Sequence, residues 1–80
     1  MPSVLIVDDE SQVCELLERW LATAGYETRI AGTADAAIEA MNERPASVVL
    51  CDVHMPGRDG LWLTEQLRGR YPSTAIVLAT

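Results

Sequence analysis

The chain has 80 residues and a mass of 8.7 kDa, which allows one small domain with a thin core, because a chain this short buries only roughly 60% of the surface its unfolded form exposes. Its composition, 49% hydrophobic and 22% charged with a mean hydropathy of +0.09, is too apolar for a disordered segment. Twelve acidic residues face six cations, all of them Arg, and the net charge of -6 argues against a general nucleic-acid binder and for a site that takes a cation.

The longest apolar run, Ala75 to Ala79, is far short of a membrane span. The opening Met1-Pro2-Ser3-Val4 has neither the basic start nor the long apolar stretch of an export signal. The expectation is a cytoplasmic protein without membrane contact, in which Cys14 and Cys51 are reduced core residues.

Val4 to Val7 is a short, continuous β-branched run of the kind that forms a strand covered on both faces. The acidic stretch Asp8-Asp9-Glu10-Ser11 then starts a helix, with Val13, Leu16, Leu17, Trp20, Leu21 and Ala24 as its apolar stripe and Gly25 at its C-cap. Glu27 to Ala31 reads as a weaker, edge strand. Thr33 caps a second helix carrying Ala34, Ala37, Ile38 and Met41, which ends at Pro45. Ser47 to Cys51 is a buried strand that runs into Asp52. The loop from Val53 to Asp59 contains the turn pair Pro56-Gly57 and holds His54, expected to face solvent. A third helix from Gly60 carries Leu61, Leu63, Thr64 and Leu67, with Trp62 packed and Gly69 and Pro72 as its stops. Ala75 to Thr80 is a fourth strand.

The order β-α-β-α-β-α-β implies an α/β fold with a parallel sheet and helices on both faces. Right-handed crossovers with the second and third strands on either side of the first give the strand order 2-1-3-4. Ligands in such doubly wound sheets bind beyond the carboxyl ends of the strands where the order reverses, here between the first and third strands. Asp8 and Asp9 stand after one of these strands and Asp52 after the other. Taken singly, Asp8, Asp9 and Glu10 suit a helix start and Asp52 suits a turn. Their coincidence at the reversal favours a site. Crowded carboxylates repel one another, and a divalent cation relieves them; few hard oxygen ligands with room for water suit Mg2+ better than Ca2+. A carboxylate in such a place can also attack a phosphoryl group, and the Thr80 hydroxyl could donate to a phosphoryl oxygen. Cys51 alternates away from Asp52 and reads as core rather than nucleophile.

The strand Val4-Leu-Ile-Val-Asp-Asp-Glu10 and the segment Val48-Val-Leu-Cys-Asp-Val-His-Met-Pro-Gly-Arg-Asp-Gly60 closely resemble the receiver domain of bacterial two-component response regulators. The resemblance covers residues 1–80 as one partial receiver domain and implies a flavodoxin-like fold. It implies that Asp52 accepts a phosphoryl group from a phosphohistidine on a sensor histidine kinase or phosphotransfer protein. It further implies that Asp8, Asp9, Asp52 and the backbone carbonyl of His54 hold Mg2+, and that Thr80 is the switch hydroxyl. Met55 and Pro56 would shape the loop, and Gly60 would open the third helix. The domain would act as a signalling switch rather than an enzyme, without touching nucleic acid itself. The family's fold has five strands and five helices, and its Lys after strand five has no counterpart in a chain without any Lys. The outer edge of the fourth strand and the apolar face beside it are therefore expected to be open, which favours self-association, including a homodimer. Two other readings are an interaction module that is never phosphorylated and a phosphatase with an aspartyl nucleophile on the first strand. The stretch Asp8-Asp9-Glu10-Ser11 lacks the second Asp that the latter needs.

Overall fold

In the computed structural model, residues 2–55 and 57–79 are described. Four strands and three helices alternate: β1 (Ser3–Val7), α1 (Ser11–Thr23), β2 (Glu27–Ala31), α2 (Ala34–Glu43), β3 (Val48–Asp52), α3 (Gly60–Arg70) and β4 (Ala75–Ala79). All pairings are parallel and the order is β2-β1-β3-β4, the doubly wound, flavodoxin-like arrangement that the alternation implies.

The central strand carries the core. Val4, Leu5, Ile6 and Val7 are all buried, as expected of a strand covered on both sides. Leu5 and Val7 join Val49 and Cys51 against α2 and α3, where Ala34, Ala37, Met41, Leu63 and Leu67 are buried. Val4 and Ile6 face α1, which closes over them with Cys14, Leu17 and Leu21. Among the described residues β2 pairs with β1 alone and is an edge, as its mixed sequence indicates.

Helix ends follow local chemistry. The Thr33 side chain accepts the Ala36 N–H at 3.1 Å and caps α2. At the end of α1 the Tyr26 N–H reaches the Leu21 carbonyl and the Gly25 N–H reaches the Ala22 carbonyl, each at 3.0 Å. This paired closure needs a left-handed residue, and Gly25 supplies it at φ +93°. The carboxyl end of α2 is closed from the sheet: the Arg29 guanidinium on β2 donates to the Ala40 carbonyl at 2.9 Å and to the Arg44 carbonyl.

Three sequence expectations are corrected. The buried line of α1 is Cys14, Leu17 and Leu21, whereas Val13, Leu16, Trp20 and Ala24 lie exposed, Trp20 at 62%. The helix has two adjacent apolar lines and only one faces the sheet. Leu61 is likewise exposed at 55%, being on the outer side of α3 while Leu63 and Leu67 point in. Gly69 does not stop α3: the helix passes through it to Arg70 and is capped at Tyr71. A lone glycine lowers helix propensity by only about 1 kcal/mol, which the buried Leu63 and Leu67 outweigh.

The far side of the sheet is thinly covered. Val77 and Leu78 of β4 are 48% and 40% exposed, and among the described residues β4 pairs with β3 alone. No helix is long and apolar enough to cross a membrane among these residues. The burial contrast on α3 is testable by thermal or urea unfolding. Leu63→Ala is expected to lower stability by about 2–5 kcal/mol, whereas Leu61→Ala should stay within about 0.5 kcal/mol of the parent.

Candidate metal and phosphoryl site

The pairing of β1 with β3 sets Val7 beside Cys51. The next residue of each chain segment is an aspartate, so Asp8 and Asp52 leave the sheet side by side at its carboxyl edge. One ligand oxygen from each of Asp8, Asp9 and Asp52 lies within 4.8 Å of the others. Asp8 and Asp52 are half-buried and Asp9 is exposed. Unit like charges at about 4 Å repel by about 1 kcal/mol in bulk water and about 4 kcal/mol in a partly desolvated setting. Among the described residues neither salt bridge involves these three carboxylates, since the two pairs are Arg44 with Glu27 and Arg58 with Asp35.

Backbone donors aim two of the acids. The Glu10 N–H donates to Asp8 Oδ1 at 2.9 Å and the His54 N–H donates to Asp52 Oδ1 at 3.0 Å. Both are local turns that hold the side chain over its own backbone. The ladder fixes the strand ends beneath them: the Asp8 N–H reaches the Ala31 carbonyl at 3.1 Å, and the Val53 N–H reaches the Ala79 carbonyl at 3.2 Å. The acidic stretch does lead into a helix, which begins at Ser11, but its carboxylates do not cap it. Glu10 stands at the N-cap of α1 but makes no side-chain cap, and the first turn holds no acid. Asp8 bonds within its own turn instead, leaving the acids without a capping role.

The loop between Asp52 and α3 is tied at several points. Met55 is buried and joins the larger core. The Gly60 N–H reaches back to the Val53 carbonyl at 3.3 Å, and Asp59 caps α3 by accepting the Trp62 N–H at 3.0 Å. Gly57 turns the loop at φ +78°. Gly60 does more than open the helix. A Cβ on it would lie 2.5 Å from the Asp52 carbonyl oxygen and 3.0 Å from Cys51 Sγ. The helix start thus packs directly on the backbone that carries Asp52. The Asp59 cap was legible as an Asp before a helical run. The Gly60 contact was not, because it depends on where β3 passes.

Other expected residues divide clearly. The side chain of His54 is exposed, as expected of a loop histidine. Trp62 is half-buried against the core, with the Arg58 guanidinium 4.4 Å from its ring centroid. Thr80 and Pro56 lie outside the described residues. Both cysteines are buried free thiols. Burial, then Asp8, Asp9 and Glu18, push the Cys14 thiol above 9.0, against a hydrogen bond that lowers it. Its Sγ lies 3.3 Å from the Asp8 carbonyl, tying the first turn of α1 to the acidic loop. Burial, followed by the charges of Asp52, Asp59 and Asp8, pushes the Cys51 thiol from 9.0 up to about 11. The same acids that mark the site thus suppress the thiolate of the neighbouring residue.

Two outcomes follow. Gly60→Ala must push Cys51 and Asp52 apart from α3, and a loss of about 1–3 kcal/mol in unfolding experiments is expected. Cys51 should resist alkylation by iodoacetamide at pH 8 in the folded protein and react once the protein is unfolded. Because its folded pKa is raised, the unfolded thiol ionises first as pH rises past about 9, so its contribution to stability falls between about pH 9 and about 11. Rapid labelling of the folded protein at pH 8 would contradict this burial.

Comparison with known proteins identifies the family. The family model of the response regulator receiver domain matches residues 4–80. The chain is similar to the transcriptional regulatory protein AruR of Pseudomonas aeruginosa, with 40% identity over 85 residues, covering 100% of this chain and 34% of that protein. It is 36% identical over 77 residues to the DNA-binding transcriptional regulator NtrC of Escherichia coli, covering 96% of this chain and 16% of that one. The chain thus spans well under half the length of these relatives. Among solved structures, the response regulator protein TrrA of Thermotoga maritima in complex with Mg(2+)-BeF superposes with a TM-score of 0.93 at 32% identity, over 98% of this chain and 68% of that one. The chemotaxis protein CheY4 of Vibrio cholerae gives 0.93 at 29% identity, over 98% and 67%. By sequence and by fold, this chain belongs to the response regulator receiver domain family.

Proposed function

We propose that the chain is a phosphorylation-controlled signalling switch in which Asp52 accepts a phosphoryl group. The observation that carries this reading is the meeting of Asp8, Asp9 and Asp52 within 4.8 Å at the topological reversal, with no side-chain cap or ion pair among the described residues to account for it. The donor would be a phosphohistidine on a sensor histidine kinase or phosphotransfer protein, as the receiver family implies. An oxygen of Asp52 attacks phosphorus, the new O–P bond forms as the N–P bond of the phosphohistidine breaks, and the imidazole nitrogen keeps the electron pair. The His54 N–H steadies one carboxylate oxygen while the other is left to react.

The donor set fits Mg2+: it is all oxygen, hard, and crowded with negative charge. Asp8, Asp9 and Asp52, with the backbone carbonyl of His54, would hold the ion. When bound, it supplies neutralisation of charge on the transferring phosphoryl oxygens. Similarity to TrrA, solved in complex with Mg(2+)-BeF, supports this assignment. Thr80, at the end of the fourth-strand sequence, is proposed as the hydroxyl that donates to the phosphoryl group. Cytoplasmic location and the absence of nucleic-acid contact by this domain complete the reading.

Incubation with acetyl phosphate and Mg2+, followed by intact mass and peptide mapping, tests the proposal. A phosphoryl mass gain at Asp52 is expected, and its loss in Asp52→Asn with an unchanged circular dichroism spectrum. No gain in the parent, or a gain that persists in Asp52→Asn, contradicts it. Thermal melts test the metal separately. At ten times its dissociation constant Mg2+ should add about 1.4 kcal/mol by binding the folded state. Asp9→Ala should remove that increment and raise stability without metal, by relieving repulsion.

A further inference from the structure

Charge is distributed unevenly along the strand direction. All the strand-to-helix loops open at the carboxyl edge of the parallel sheet, and six of the twelve acids lie there: Asp8, Asp9, Glu10, Asp35, Asp52 and Asp59. Five of the six cations lie elsewhere. Arg19 is in the second half of α1, Arg29 reaches the carboxyl end of α2, Arg44 caps α2, and Arg68 and Arg70 are in the last turn of α3. Among the described residues, Arg58 is therefore the one arginine at the edge that carries Asp52, and it lies in the loop that follows Asp52.

We propose that Arg58 sets how fast small anionic phosphoryl donors reach Asp52, which makes it a specificity-determining residue that works through its field. The inference rests on the reading of Asp52 as phosphoacceptor. Two contacts hold the guanidinium in place: Asp35 Oδ1 at 3.4 Å, and the face of the Trp62 ring at 4.4 Å from its centroid. Trp62 is half-buried and fixed on α3, so the stacking partner is rigid. The ion pair is loose, with side chains 59% and 73% exposed, and exposed pairs of this kind are weak. Asp35 thus orients Arg58 without burying its charge.

A donor dianion approaching this edge meets six carboxylates and one guanidinium. Exposed charges act over about 10 Å at 0.1 M salt, and electrostatic steering changes encounter rates by about tenfold or more where several charges combine. For a single charge the expected change is about threefold. Steering scales with the charge of the incoming group, which separates it from any structural effect of the side chain.

The full chain is labelled at saturating Mg2+ with acetyl phosphate, a dianion, and with phosphoramidate, a monoanion, and the rate of mass gain at Asp52 is followed at low and high salt. Arg58→Ala is expected to lower the second-order rate with acetyl phosphate about threefold at low salt, and Arg58→Glu about tenfold. On a logarithmic scale the phosphoramidate effect should be about half as large, and both effects should fade in 0.5 M salt. Arg58→Lys should keep most of the parent rate, and Asp35→Asn should raise it. Equal rates for the parent, Arg58→Ala and Arg58→Glu overturn the inference while leaving Asp52 as acceptor. Equal slowing of both donors at every salt concentration also overturns it, because that is the mark of a distorted loop. Absence of labelling in the parent overturns the Asp52 reading and this inference with it.

Discussion

The parallel pairing of β1 with β3 is the constraint on which the rest of the molecule depends. Its register sets Val7 beside Cys51, and hence Asp8 beside Asp52. A slip of one residue would turn every side chain of one strand to the opposite face. It would move Val49 and Cys51 out of the larger core and Val48 and Leu50 into it; both pairs are apolar, so what resists the slip is the fit of these particular side chains against the helices on each face. The packing that buries these residues therefore also fixes the spacing of the carboxylates. Precision at the site comes from the core beneath it, and only the last adjustments are local: the turns at Asp8 and Asp52 and the ladder bonds just below them.

Much of this was legible in the sequence because the strong signals there are periodic or covalently local. Four apolar runs, each closed by turn or acidic residues, give the strands; the order 2-1-3-4 follows only once the second and third strands are placed on either side of the first, as the receiver resemblance implies. Thr33, Gly25 and Pro45 act where their chemistry says they should. The errors on α1 have a common origin. Val13, Leu16 and Trp20 are apolar at helical spacing on α1, yet periodicity cannot tell which of two adjacent apolar lines meets the sheet. That depends on the rotation of the helix about its axis, which is set by tertiary contacts such as Cys14 with the Asp8 carbonyl. Leu61 lies opposite Leu63 on α3, off its buried line. Gly69 was overread as a stop because an exposed glycine weakens a helix by less than two buried leucines strengthen it.

The site divides the same way. The acids and their order along the chain were visible, since each follows a strand. The contacts of Gly60 with Asp52 and Cys51, and of Arg58 with Asp35 and Trp62, were not. The Arg58–Asp35 pair joins residues 23 apart that only the sheet order brings together. The resemblance to receiver domains supplies what the residues alone leave open, namely which of several carboxylates is proposed as the acceptor.

The crowding of Asp8, Asp9 and Asp52 works against the fold that holds it. At the water-screened end of the range, about 1 kcal/mol per pair at 4 Å, such repulsion still counts against the roughly 5–15 kcal/mol of stability typical of a domain. It is tolerated because the acids stand at the rim of the sheet, half-buried or exposed, where water screens them while the strands below stay dry. Deeper placement would raise the repulsion and demand a permanent counter-charge; full exposure would weaken the hold on any cation. The rim is also where a group bound to one carboxylate lies within reach of the loop and the start of α3. Gly60 admits no side chain between that helix and the Asp52 carbonyl, so there is no cushion between them. A change of charge or bulk at Asp52 would therefore bear on the loop and on the start of α3, which packs on its backbone.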